Sequence, residues 1–112
     1  MEMHYLEGDI VSPVNICNEY LEKQPILVLR DMTGNQKIDG FCNLFIGISG
    51  GIVLFWNNPE FLKLYDGDTN TVRYKTISSV RDFLLGTISE KELKIRIGEE
   101  LVKNLKEKLS LE

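Results

Sequence analysis

Gly47-Ile48-Ser49-Gly50-Gly51 matches the G-x-S-x-G spacing of a nucleophile elbow. Such an elbow needs a strand before the serine, a helix after it, and an acid and then a histidine downstream. Here Ile52-Val53-Leu54-Phe55-Trp56 reads as another strand, so Ser49-Gly50-Gly51 is a hairpin turn whose glycines supply positive φ. The single histidine is His4, upstream of the serine. The serine therefore lacks a base, and no enzymatic activity is expected.

Metal chemistry fares no better. His4, Glu7 and Asp9 lie close in sequence, but zinc takes three or four protein ligands, mostly His and Cys. Asp66-Gly67-Asp68-Thr69-Asn70 opens like a calcium loop. The glycine needed at loop position 6 is Thr71, and the glutamate needed at position 12 is Ile77. The run reads as an acidic hairpin turn. Cys17 and Cys42 form no CxxC pair and read as small buried hydrophobes of a reducing compartment. No phosphate-cradling loop or dinucleotide fingerprint occurs, so no cofactor and no metal are expected. Arg73, Lys75 and Arg81, with Tyr74 between, make a short basic stretch. It is too sparse for a nucleic-acid groove.

Recognition of a protein remains, and charge points to it. The chain has 112 residues and a formal net charge of -4. Residues 1–70 carry ten acids and four bases, residues 71–88 one acid and three bases, and residues 89–112 six of each. An acidic body attracts a basic partner and speeds encounter with it. Asp31, Asp39, Glu60, Asp66 and Asp68 are the expected charge contacts. Trp56 and Tyr65 are the expected anchors, since large aromatics dominate interface energetics.

These residues need elements to carry them. Tyr5 to Val11 reads as an edge strand. Ser12-Pro13 reads as an N-cap and first helical residue, opening a helix over 13–23 that Gln24-Pro25 stops. Ile26 to Arg30 is apolar on both faces, an inner strand. Phe41–Ile48 and Ile52–Trp56 form a hairpin, and Phe61–Tyr65 a further strand. Val72, Tyr74 and Thr76 alternate, which predicts a strand after the acidic turn. Ser79 with Asp82 predicts a capping box and a short helix, Val80 to Leu85, ended by Gly86.

Ser89 with Glu92 predicts the cap of a last amphipathic helix spanning 89–112. Leu93, Ile97, Leu101, Leu105 and Leu109 recur along it at i, i+4. Leu93, Ile95 and Ile97 also alternate as in a strand, but caps and propensity favour helix. The stripe either covers the sheet or pairs two copies through Leu93, Ile97, Leu101 and Leu105. The fold class is α+β: one domain, an antiparallel sheet of about five to six strands, an N-terminal helix and C-terminal helices packed on it. No stretch reads as a transmembrane helix, and no basic, apolar leader opens the chain, so a cytoplasmic protein is expected.

Ser49-Gly50-Gly51-Ile52, then Asp66-Gly67-Asp68, then Ile77-Ser78-Ser79-Val80-Arg81-Asp82-Phe83-Leu84-Leu85 follow one another in a set order. Over 49–86, about a third of the chain, this order resembles the C-terminal half of SMI1/KNR4-type (SUKH) immunity proteins. The resemblance implies an α+β cytoplasmic protein that neutralises a toxin by binding it, with no catalytic residues of its own. The leading expectation is an inhibitor or immunity protein for a basic partner such as a nuclease toxin. The alternatives are a phage-encoded modulator of a host defence or regulatory protein, and a self-associating accessory module.

Overall fold

Residues 8–14, 23–29, 41–47, 50–57 and 62–109 are described by the computed structural model, with backbone alone at 41, 42 and 55–57. Five strands come first: β1 (Ile10–Pro13), β2 (Ile26–Val28), β3 (Phe41–Ile46), β4 (Ile52–Asn57) and β5 (Leu62–Leu64). Three helices follow: α1 (Val72–Leu84), α2 (Glu90–Ile97) and α3 (Glu99–Leu109). The strands form one sheet in the order β4-β3-β2-β1-β5, with every neighbour antiparallel. The architecture is the expected α+β class.

The β3–β4 hairpin is the clearest sequence-to-structure step. Gly47 N–H donates to Gly51 O at 2.8 Å and Gly50 N–H to Gly47 O at 3.0 Å. Gly50 sits at φ +85°, where a side chain is strained. A three-residue loop ending in a left-handed glycine suits the right-handed twist of a hairpin.

Alternation sorts the sheet into two buried faces. Ile10, Leu27, Leu29, Leu44 and Ile46 join Ile77, Val80, Leu93, Val102 and Leu105 of the helices in one cluster. Val11, Ile26, Val28 and Leu62 form a second cluster on the other face, with Phe45 against it.

Two N-terminal expectations change. Ser12 and Pro13 do not open a helix. They belong to β1, and Ser12 Oγ donates to Gln24 O at 2.9 Å. Pro13 is the last residue of the strand and brings no N–H to the ladder. The body of the helix expected over 13–23 lies outside the described residues. β1 is also no edge strand, since it runs between β2 and β5. Its fully buried Val11 agrees with that inner place.

The strand expected at Val72–Thr76 is instead the start of α1, and the acidic turn joins a strand to a helix. Thr71 is the N-cap, its Oγ1 accepting from Tyr74 N–H at 3.1 Å. Ile77 and Val80 then fall on the core face, three residues apart, while Val72 is 81% exposed. Ser79 opens no helix; it is buried within α1. The end near Gly86 is as expected. Thr87 N–H reaches Asp82 O and Gly86 N–H reaches Phe83 O, with Gly86 at φ +82°, a Schellman stop.

Residues 93–97 are helical, and the Ser89 cap forms, Ser89 Oγ accepting from Glu92 N–H at 3.1 Å. The last helix is divided, however. Gly98, at φ +93° and ψ 152°, ends α2, and its carbonyl accepts from Val102 N–H in α3. Of the expected homodimer seam, Leu93 and Leu105 are fully buried in the chain's own core, while Ile97 and Leu101 are partly buried against it.

Candidate protein-binding surface

The turn between β5 and α1 carries three of the expected contact residues, Tyr65, Asp66 and Asp68. It is built from local chemistry. Tyr65 N–H continues the sheet pairing by donating to Ile10 O at 3.0 Å. Its ring stacks on Tyr74 of α1, centroids 5.3 Å apart and planes 23° apart. Its hydroxyl donates to Asp68 O at 2.8 Å. The ring lies so close to Gly67 that a Cβ there would sit 2.6 Å from the Tyr65 hydroxyl oxygen. A side chain at 67 would force the Tyr65 ring to shift.

Asp68 then orders the helix start. Its Oδ1 accepts from Asn70 N–H at 2.8 Å, an Asx turn, and its carbonyl accepts from Thr71 Oγ1 at 3.4 Å. Asp66 points outward, its side chain 78% exposed, with Lys63 Nζ at 3.5 Å. An exposed pair of this kind is weak and leaves the carboxylate available. Burial raises the Tyr65 pKa above its ordinary 10.0, and the Asp68 and Asp66 carboxylates add to the rise, while the Thr71 hydrogen bond opposes it. The phenol therefore stays a neutral donor at physiological pH.

Leu64, 61% exposed, and Val72, 81% exposed, bracket this turn in sequence. The sequence reading missed both. Val72 carried a signal, being apolar but out of phase with Ile77 and Val80 of its helix; Leu64 carried none, since it shares the strand face of the buried Leu62. A groove of about 500 Å³ begins at Thr69 and Val72 and runs along α1 to Arg96 of α2. The arrangement offers exposed carboxylates on a fixed turn and bare apolar surface, the Tyr65 proton being already given to Asp68 O. It suits contact with a partner and provides no base–nucleophile pair.

The remaining expected contacts are not gathered here. Trp56 has its backbone on β4, at the other end of the sheet order from β5. Asp31, Asp39 and Glu60 lie outside the described residues, as do His4 and Glu7. The described residues carry nine acids and eleven bases, a net of +2. The acidity of residues 1–70 is thus concentrated in segments outside the described ones.

The basic stretch is spent largely on structure. Arg73 Nη1 donates to Ile46 O at 2.7 Å, capping a carbonyl where β3 ends, and its guanidinium lies 5.6 Å from the Phe45 ring centroid. Arg81 bonds Ser78 Oγ at 2.9 Å and pairs with Asp82 at 3.3 Å. Among the described residues no three His, Cys, Asp or Glu side chains converge as a metal site. No described helix is long and apolar enough to cross a membrane.

Compared with protein-family models, curated proteins and solved structures, the chain matches none.

Proposed function

We propose that the chain is a small non-catalytic binding protein, an inhibitor of the immunity type that occludes a basic partner, such as a nuclease toxin, in the cytoplasm. The observation that carries this reading is the Tyr65–Thr71 turn. Its backbone is pinned by Tyr65, Asp68 and Thr71, while the Asp66 carboxylate and the flanking Leu64 and Val72 side chains face solvent. A preorganised turn has little entropy left to lose on docking. The carboxylates steer a basic partner in, and the apolar side chains supply contact area once water is expelled. Asp31, Asp39 and Glu60 extend the acidic set in this reading, and Trp56 is a second anchor.

The test begins with affinity purification from the native host. The expected result is a stoichiometric basic partner whose enzymatic or toxic activity is lost in the complex. A partner that keeps its activity when bound removes the inhibitory reading. Association kinetics of that pair then examine the charge. Asp66→Lys with Asp68→Asn should slow association about tenfold at low salt and flatten its salt dependence, with dissociation little changed. Asparagine keeps the Oδ1 acceptor for Asn70, so the turn survives. Unchanged kinetics would remove the electrostatic part.

A further inference from the structure

β4 ends the sheet order, and β3 occupies one of its two sides. Hydrogen-bonded and non-hydrogen-bonded pairs alternate along an antiparallel ladder. The bond from Gly47 N–H to Gly51 O sets the phase. Phe45↔Val53, Asn43↔Phe55 and Phe41↔Asn57 are then the hydrogen-bonded pairs. Ile52, Leu54 and Trp56 consequently turn their backbone N–H and C=O groups away from β3. No strand among the described residues takes up these three donors and three acceptors.

The two edges of the sheet are unlike. β5 is three residues long, and its Lys63 pairs with Asp66 in the turn that follows. Short, charged edges resist further pairing. β4 has six residues, Ile-Val-Leu-Phe-Trp-Asn, with no proline, and residues 40–59 contain no charged side chain at all. Val53 is 49% exposed. Beside the start of β4 a groove of about 280 Å³ separates Gly51 and Ile52 from Asn104, Glu107 and Lys108 of α3, leaving room along the edge.

We infer that two copies of this chain pair through β4, antiparallel, about a two-fold axis at Leu54. In that register Leu54 exchanges both backbone bonds with Leu54 of the partner subunit. Ile52 exchanges both with Trp56 of the partner subunit, and Trp56 with Ile52 of the partner subunit. Every outward group is satisfied by the same group set, as a two-fold interface demands. Charge favours this occupant. The strand itself is uncharged, and Glu107 and Lys108 beside its start cancel, so the edge holds no net charge to favour a basic or acidic strand, whereas a second β4 meets it without repulsion and has high β-propensity itself. The described residues hold one such edge, so pairing consumes it and blunted β5 stops growth. The inference does not use the acidic turn; it shares only Trp56 with the proposed function, there as a side chain and here through its backbone.

Sedimentation equilibrium of the full chain should show a reversible doubling of the 12.9 kDa mass between micromolar and near-millimolar concentration. Amide exchange gives the register. In dilute protein Val53 and Phe55 are protected while Ile52, Leu54 and Trp56 exchange fast. Concentration should slow Leu54 about tenfold or more. Ile52→Pro deletes an outward donor without touching a β3–β4 bond and should weaken association about tenfold or more, with unchanged circular dichroism. Val53→Lys, a charged edge residue, should do the same and serves if the proline variant misfolds. A monomer across the whole range overturns the inference. So does a dimer that neither variant weakens, growth beyond the dimer, or Leu54 protection that appears only when an extended partner peptide is added.

Discussion

Glu90 is the residue through which α2 and α3 are joined electrostatically. Lys106 Nζ of α3 lies 2.7 Å from one carboxylate oxygen and Lys94 Nζ 3.3 Å from the other. Hydrogen bonds from Lys106 first and Lys94 second hold its pKa below the ordinary 4.5. A carboxylate with a lowered folded pKa stabilises the fold above its unfolded value and loses that contribution as pH falls through the folded one. Glu90→Gln should therefore melt lower than the wild type at neutral pH. The difference should shrink as pH falls below about 4.5, where the unfolded carboxylate is half protonated, and vanish below the lowered folded pKa. Melting curves of the two proteins across this range check it. A gap that persists in acid would mean Glu90 acts by packing and not by charge. At this scale the sequence was informative where chemistry is local: Asp68 is a turn former by type and marked the turn, whereas Thr71, a cap former by type, was passed over because Val72, Tyr74 and Thr76 alternate after it. The press of the Tyr65 ring on Gly67 was not legible, because it depends on the ring's stacking against Tyr74 of α1.

The elements show which local signals win when they compete. The β3–β4 hairpin was plain because β-branched and aromatic residues and a glycine loop agree. α1 was misread because Val72, Tyr74 and Thr76 alternate by chance while Ile77 and Val80 mark the helical face. The Thr71 cap and the Schellman stop at Gly86 fix both ends of the helix, and the early alternation falls on side chains of mixed exposure. Gly98 is the complementary case. As the interior of one long helix it would be a mild cost, but at φ +93° and ψ 152° it is the break itself. No heavy atom lies within 4 Å of a Cβ added there, so Gly98→Ala meets open space and pays in backbone strain alone. The expected loss is about 1–3 kcal/mol by denaturant unfolding. A neutral result would show that α2 and α3 can merge into one helix without disturbing the core.

For the whole molecule, the question is what the leucine stripe of the C-terminal helices faces. The i, i+4 spacing was legible, but spacing alone cannot say whether an apolar stripe meets its own sheet or another copy, since both bury the same residues. The described fold answers through burial. Leu93, Val102 and Leu105 are fully enclosed with Leu27, Leu44 and Val80, while Ile95, outside the stripe, is 72% exposed. The helices thus close one face of the sheet from within the chain. Leu105→Ala should then cost about 2–5 kcal/mol, the transfer loss plus an unfilled cavity. Ile95→Ala should change stability by less than about 0.5 kcal/mol. A stripe engaged within one chain also gives a mutational cost independent of association. The Leu105→Ala difference from wild type should stay constant over about a hundredfold range of protein concentration, because mass action acts equally on both proteins. A difference that grows with concentration would instead place Leu105 between subunits. The β4 edge, whose variants alter association and leave the core intact, would then no longer be needed to explain a dimer.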